Sequence, residues 1–299
     1  MKYLVYINII TLLFTVEAKL YGHYVINWYV AEEPPISYTR NDSIVGYGID
    51  IIKRIQAKLP EYKHDIVMAG NYARLTNEVM YRPLSIGVGL FKTEKRKRFM
   101  SFTNLPLFYF YNIQVATKKS TFNALGKPDH ISLKKILNDK RRIGISKGRT
   151  YSKNIRNIFK ENKNSNIYKG SQGNVSESLL SMLVQDRLEY ILLYPEETEY
   201  ISKKVDLRED IITIPIEETE DISFSWLAVH KDKAGKLLVR KINSILEEIQ
   251  DESYPNYYLK WISKNNHKSY REKFRKFRTD FDDRFLEKEQ KTDEEDPLN

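Results

Sequence analysis

The chain has 299 residues, of which 41% are hydrophobic and 12% aromatic, and it carries a formal net charge of +9. This length and composition exclude both a disordered chain and a single small domain. The sequence contains no cysteine, which excludes disulfides, thiolate catalysis, a thiolate metal site and a lipid anchor attached through cysteine.

The remaining polar residues give little support to two further classes of function. The five histidines are scattered and none lies four residues from another, so we predict no metal and no cofactor. Lysine and arginine alternate with acidic residues along the whole chain, which is typical of a solvated surface. We therefore predict no nucleic-acid partner, and we expect a monomer.

The N-terminus predicts export. Met1 and Lys2 are followed by a mostly apolar stretch, residues 3–16, and then by the small residue Ala18. About 14 apolar residues are too few to cross a bilayer as a helix, which needs roughly 20. We interpret residues 1–18 as a cleaved signal peptide and expect a periplasmic or secreted protein.

A strand and a helix are predicted next. Residues 24–30 are apolar and aromatic, which favours a strand, and the acidic and proline residues at 32–35 interrupt it. Asp50 is a candidate helix cap, apolar residues follow it at helical spacing, and Pro60 ends the pattern. We therefore predict a helix over residues 50–59.

A basic motif follows a glycine-broken apolar run at residues 86–91. The motif places Thr93 and Arg96 three residues apart, then a Phe-Thr pair at 102–103, then Pro106. A guanidinium offers a planar fork of donors that meets a carboxylate with two parallel hydrogen bonds. Arg96 is therefore a candidate carboxylate ligand.

The second half of the chain alternates strands and helices. A dense aromatic run at residues 108–116 predicts a core strand. A second unit begins near Lys118, where Arg149 and Thr150 precede a polar helix whose N-terminus would attract anions. The predicted elements are helix 131–137, strand 142–145, helix 151–160, helix 175–183, strand 186–194, strands 211–214 and 224–229, helix 237–249 and a short aromatic helix 254–261.

Taken in order, these pieces resemble the extracellular (periplasmic) solute-binding proteins of family 3, the polar amino-acid type, over residues 24–262. The resemblance implies a two-lobed α/β fold of the type II periplasmic-binding-protein class. Mixed sheets flanked by helices would be joined by a two-strand hinge. It divides the chain into lobe I, residues 19–115 plus 223–262, and lobe II, residues 116–222.

The resemblance also implies a ligand site between the lobes. Arg96 matches the arginine that binds the ligand carboxylate, and Thr150 matches the hydroxyl of the second lobe. Tyr194 falls where the family has the acid that holds the ligand's amino group. The predicted ligand-binding residues are Arg96, Thr150, Arg149, Gly89, Tyr194 and Glu33.

In each remaining position the sequence departs from the family pattern. Arg149 replaces a small hydroxyl residue, Gly89 offers only its backbone, and Glu33 falls near the usual stacking ring. Glu32, Glu33 or Glu196 could supply the missing negative charge. The implied function is capture of a small carboxylate-bearing ligand, an amino acid or a related molecule, for an ABC-type membrane transporter or a sensor.

Two other functions stay open at this stage. Residues 144–148 match Gly-x-Ser-x-Gly, so Ser146 could be the nucleophile of a secreted serine hydrolase. His230 would be its base and Asp206 or Asp210 its acid, although no oxyanion loop of the His-Gly-Gly type precedes the motif. The other alternative is a sensor or adaptor on the same fold, without transport. We favour a binding protein over an enzyme.

The C-terminal residues 263–299 form a charged tail. Basic residues dominate its first half and acidic residues its second half. Phe274, Phe277, Phe281 and Phe285 recur at helical spacing, so a docked helix and a mobile helix are both compatible with the pattern. We favour the mobile helix.

The export prediction can be tested directly. We expect cleavage after Ala18, because the apolar segment is too short to span a membrane and ends in a small residue. Intact-mass measurement of the protein from the envelope fraction should give a chain that begins at residue 19. A mature species that still begins at Met1 would contradict the prediction.

Overall fold

The computed structural model describes residues 24–147, 149, 151–162, 166–171, 174–206 and 210–280, and the helical backbone over 281–294. The expected signal peptide lies outside these residues. Within the described part, no helix combines the length and apolar character needed to cross a bilayer.

The strands are β1 Val25–Ala31, β2 Tyr38–Arg40, β3 Ser43–Val45, β4 Lys63–Gly70, β5 Ser85–Leu90, β6 Met100–Phe102, β7 Phe108–Tyr111, β8 Gln114–Lys118, β9 Ile143–Ser146, β10 Ile167–Gly170, β11 Tyr190–Leu193, β12 Ile211–Ile214 and β13 Ile222–His230. The helices are α1 Tyr47–Gln56, α2 Tyr72–Tyr81, α3 Glu94–Lys97, α4 Lys119–Ala124, α5 Leu133–Asn138, α6 Lys153–Glu161, α7 Val175–Val184, α8 Pro195–Lys204, α9 Lys233–Ile249, α10 Asn256–Leu259 and α11 His267–Glu294. A 3-10 turn, Lys264–Asn266, precedes α11.

These elements build two main sheets and a small two-stranded sheet of β2 and β3. The first has the strand order β4-β1-β5-β13-β6, with β7 also paired to β13. In it β1 is parallel to β4 and β5, whereas β13 is antiparallel to its partners. The second has the order β10-β9-β11-β8-β12, in which β8 is antiparallel to both neighbours. The predicted α/β architecture with mixed sheets and flanking helices is confirmed.

The chain crosses between the sheets twice, from β7 to β8 and from β12 to β13. The two crossings lie side by side because β7 and β13 are paired, with Tyr111 opposite Ile222. The backbone N–H of Asn112 extends this pairing by donating to the Asp221 carbonyl at 2.7 Å. The aromatic run predicted as one strand over 108–116 is therefore two strands, one in each sheet.

Two helices begin earlier than the sequence predicts. Helix α1 begins before Asp50, with Gly46 as its N-cap at a φ of 132°. Only glycine fits there, because any side-chain carbon would collide with the Ile36 carbonyl and the backbone is left-handed. Helix α9 begins at Lys233, because the Asp232 carboxylate caps it by accepting from the Gly235 N–H at 2.6 Å.

The helix in the C-terminal segment is docked over residues 267–280, whereas we favoured a mobile helix. Tyr270 and Phe274 are only 3% and 4% exposed. The Tyr270 hydroxyl donates to the Tyr109 carbonyl at 2.6 Å, and the Phe277 ring meets the Phe224 ring at 5.0 Å. The side chains of Phe281 and Phe285 lie outside the described residues.

The start of α8, which follows the second sheet, packs against elements of the first. The Tyr258 hydroxyl donates to the Glu196 carboxylate at 2.7 Å, and Glu196 is 2% exposed. The Tyr38 and Tyr200 rings meet edge to face at 5.2 Å. Burial raises the pKa of Glu196 to about 8; the Tyr258 hydrogen bond opposes this shift, and nearby Glu197 and Glu33 add to it.

This buried carboxyl predicts a pH dependence of stability. The folded state holds the Glu196 proton up to about pH 8, whereas the unfolded chain releases it near its ordinary pKa of about 4.3. The folded state therefore binds more protons between these values, and its stability falls as pH rises. Glu196→Gln cannot ionise, so it should be more stable than wild type at pH 9, by roughly 1 kcal/mol or more, since one pKa unit corresponds to about 1.4 kcal/mol.

Urea unfolding at pH 5 and pH 9 measures the effect. Glu199→Gln is the control, because Glu199 lies on the same helix, is more exposed, and pairs only with its neighbour Lys203 in the described contacts. The control should change stability by the same small amount at both pH values. An advantage of Glu196→Gln that is equal at both pH values, or larger at pH 5, would contradict the prediction.

Candidate functional site

Arg96 lies at the edge of the first sheet with its guanidinium half-buried. Thr93 caps the short helix α3 by accepting from the Arg96 N–H at 3.3 Å, which fixes where the side chain leaves the backbone. One terminal nitrogen of Arg96 donates to the Phe91 carbonyl at 3.0 Å. No carboxylate among the described residues pairs with Arg96, and burial lowers its pKa. Most of its donors are therefore available to a ligand anion.

Glu33 lies on the loop after β1 and shares Tyr72 as a neighbour with Arg96. The Tyr72 hydroxyl donates to the Glu33 carboxylate. Gly89 is close to the same hydroxyl, because a side-chain carbon built on Gly89 would lie 3.4 Å from it. Gly89 has a φ of 74°, so its backbone also requires glycine. Burial raises the pKa of Glu33 despite the Tyr72 hydrogen bond and the charge of Arg149.

Arg149 and Glu197 form a buried ion pair on the second-sheet side. Both terminal nitrogens of Arg149 donate to the Glu197 carboxylate, at 2.7 and 2.8 Å. Ser176 donates to the same carboxylate at 2.5 Å, and the Tyr194 ring lies 5.1 Å below the guanidinium. Burial alone would lower the pKa of Arg149, but the charge of Glu197 raises it overall, and Arg149 in turn lowers the pKa of Glu197.

The two sets of residues face each other across the gap between the sheets. Glu33 interacts electrostatically with Arg149 and Glu197, and Tyr194 interacts with Glu33 and Arg149. Five of the six predicted ligand-binding residues therefore gather in one place. The sixth, Thr150, lies outside the described residues. The ligand-binding roles of all six stay predictions.

The other two candidate acids have different surroundings. Glu32 is exposed, and its carboxylate accepts from the Thr39 N–H at 3.1 Å. Glu196 is turned towards Tyr258. Glu33 is thus the one of the three acids that accepts from Tyr72 and interacts with Arg149. In the described chain, no group of three His, Asp or Glu side chains is arranged to hold a metal ion.

Sequence reasoning missed two members of the site, Tyr72 and Glu197. Tyr72 opens helix α2, which Asn71 caps by accepting from the Arg74 N–H at 3.0 Å. Glu197 is the third residue of α8, which begins with a proline, Pro195. A capping Asn and a helix-starting Pro are recognisable helix signals, and they could have located both elements.

The residues of the hydrolase hypothesis do not come together in the described structure. Ser146 lies in the second sheet, whereas His230 lies in the first, with its Nδ1 bound to the Val79 carbonyl at 2.9 Å. Asp210 pairs with Lys119 at 2.7 Å. Asp206 has no described contact with Ser146 or His230.

Packing accounts for the first glycine of the motif instead. A side-chain carbon on Gly144 would lie 2.6 Å from Leu188 and 2.8 Å from Leu179, so the strand needs glycine to pack against helix α7 and the following loop.

Solved structures share this fold. A Bacillus subtilis protein whose assigned role is extracellular binding for an amino-acid ABC transporter superposes with a TM-score of 0.61 at 16% identity, covering 82% of this chain and 100% of that one. An ancestral arginine-binding protein bound to arginine gives 0.56 at 22% identity, covering 80% and 98%. A histidine kinase sensor domain similar to periplasmic binding proteins gives 0.57 at 14% identity, covering 81% and 96%.

At these identities the likeness shows the fold, which is the two-lobed type II arrangement that the sequence predicts. No curated protein matches the chain closely enough to count as a relative. Residues 26–264 match the family model of the bacterial extracellular solute-binding proteins, family 3, and the chain therefore belongs to that family.

Proposed function

We propose that this protein is exported by its signal peptide and captures a small carboxylate-bearing ligand between its two lobes. The lobes in this proposal are residues 19–115 plus 223–262, and residues 116–222. A ligand that contacts both walls of the cleft binds best when the lobes meet, so binding favours the closed arrangement. An ABC-type transporter or a sensor in the membrane would then recognise that arrangement.

The observation that carries the proposal is the difference between the two arginines of the cleft. Arg149 is already neutralised by the Glu197 carboxylate, to which it donates two hydrogen bonds. Arg96 is half-buried and has no carboxylate partner in the described part of the chain. A half-buried guanidinium with unused donors is a strong site for a carboxylate, because charge-assisted forked hydrogen bonds are about twice as strong as neutral ones.

The acids of the cleft favour a ligand without a free amine. Tyr194 stands where the family has an acid, and the charge of Glu197 is engaged by Arg149. Glu33 has a raised pKa, which weakens it as a partner for an ammonium group. Carboxylates that lack the amine should therefore bind more tightly than the matching amino acids.

The sensor alternative is supported by one structural neighbour, the histidine kinase sensor domain. A sensor role and a transport role share the same ligand site and differ in the membrane partner. Capture from an envelope extract with the full chain would distinguish them, since a transporter permease and a kinase are separable by mass spectrometry.

Substitution of Arg96 tests the site. Calorimetry with two matched pairs, leucine with 4-methylpentanoate and phenylalanine with 3-phenylpropionate, gives affinities for the wild type. For the acid that binds best, Arg96→Ala should weaken binding by about 2–5 kcal/mol, because a desolvated ligand charge is left unpaired. Arg96→Lys should not restore it, because an ammonium lacks the fork.

Arg98→Ala is the matched control. Arg98 is two residues away and exposed, and no described hydrogen bond or ion pair involves its side chain. It should bind like the wild type. Unchanged affinity in Arg96→Ala would remove Arg96 from the site. Tighter binding of leucine or phenylalanine than of the amine-free acids would show that Glu33 holds an ammonium group, and Glu33→Gln should then abolish that preference.

A further inference from the structure

Helix α11 is an addition to the segment that defines the family. The matched segment ends at residue 264, whereas α11 begins at His267. The structural neighbours are themselves covered almost completely, although they account for only about four fifths of this chain. The helix nevertheless packs closely on the rest of the protein, so its position needs a physical explanation.

The inner face of α11 covers β7, the strand that leads out of the first sheet. Tyr270 donates to the Tyr109 carbonyl at 2.6 Å, and the Phe274 ring meets the Tyr109 ring at 5.0 Å. Just before the helix, the Asn266 carbonyl accepts from the Tyr111 hydroxyl at 3.4 Å. These contacts hold the strand up to its last residue before the crossing.

The same face also covers the return crossing, where the chain enters β13. The Phe277 ring packs on Phe224 at 5.0 Å. Lys273 pairs with Asp221 at 2.7 Å, and the other oxygen of that carboxylate lies 3.3 Å from the Nε2 of His130, a residue of the second-sheet side. Asp221 is therefore shared by the helix and the second lobe, at the residue that directly precedes β13.

A second connection runs through aromatic rings. Tyr270 packs on Tyr258 with ring centroids 4.8 Å apart. The Tyr258 hydroxyl accepts from the Tyr111 N–H at 3.1 Å and donates to Glu196 of the second lobe at 2.7 Å. The helix thus contacts, at two separate points, a side chain near the crossings that also contacts a residue of the second lobe: Asp221 with His130, and Tyr258 with Glu196.

We propose that α11 is a brace on the hinge, in which Lys273 and Tyr270 are positioning residues that hold Asp221 and Tyr258 in their contacts with His130 and Glu196. Lobe rotation in a protein of this kind changes the backbone at the two crossings. A helix packed across both crossings opposes such a change. The brace shifts the balance of lobe arrangements towards the one seen in the structure, whatever the ligand.

The distance between the lobes in solution tests this proposal. The chain has no cysteine, so spin labels can be attached at Lys53→Cys on α1 and Lys160→Cys on α6, both exposed. Double electron–electron resonance on the full chain without ligand then gives the distribution of lobe arrangements. A failed ligand screen would leave this measurement unaffected, so the two proposals can fail separately.

Lys273→Met removes the charge and keeps the apolar stem. We expect it to increase the population outside the main distance class by about two- to fivefold, the size typical of a partly exposed ion pair. Asp221→Asn should have at least the same effect, because it loses both the Lys273 and the His130 partners. Lys276→Met is the control, since Lys276 lies on the exposed side of the same helix.

The control should keep the distance distribution of the labelled parent protein. Circular dichroism of each variant checks that α11 and the rest of the chain stay folded. If Asp221→Asn does not fold, Lys273→Met still tests the brace. Lys273 is partly exposed, and replacing it leaves the aromatic inner face of α11 intact. Distributions for Lys273→Met that coincide with those of Lys276→Met would overturn the proposal.

Discussion

A guanidinium is buried at low cost only where a carboxylate meets it, and the second wall of the cleft depends on one such pair. Arg149 and Glu197 are 48 residues apart in the chain, and each side chain is only 16% exposed. Their pairing ties the loop before α6 to the start of α8, and Ser176 adds α7 to the same carboxylate. Removing either charge would cost about 3–5 kcal/mol, because the other would stay buried and unpaired. This wall is therefore set before any ligand arrives.

Because Arg149 is paired with Glu197, the two lobes present different charges to the cleft. The second lobe presents a fixed and nearly neutral surface of Arg149, Glu197 and the Tyr194 ring. The first lobe presents Arg96, whose donors are mostly unused, and Glu33, whose pKa is raised by burial. In the proposed function, the charge of a bound carboxylate would therefore be met by the first lobe. The shape of the cleft and the aromatic rings on both sides would then select the rest of the ligand.

The sequence predicted the elements with strong local signals, and Arg96 was found because its motif is continuous. Helices α2 and α8 have short or charged faces, so apolar residues recur only weakly at helical spacing in their sequences. The functional residues at the starts of these helices were therefore missed. Tyr72 and Glu197 belong to the site only because they contact Glu33 and Arg149, which lie 39 and 48 residues away in the chain. Single-sequence patterns carry no information on such pairings. For the same reason Glu196 was considered only as a candidate charge for the ligand, since only the fold brings Tyr258 to it.

The aromatic residues of β7, at the hinge, are buried on both faces of the strand, and helix α11 covers one of these faces. Successive side chains of a strand point to opposite faces, yet all four residues of β7 are buried. Phe108 and Phe110 meet Tyr47 and Tyr194, respectively. Tyr109 and Tyr111 point the other way and meet the inner face of α11. A strand at a crossing can be apolar on both faces only if something covers each of them. The density of rings in β7 therefore requires a cover such as α11, and the spacing of Tyr270, Phe274 and Phe277 supplies it.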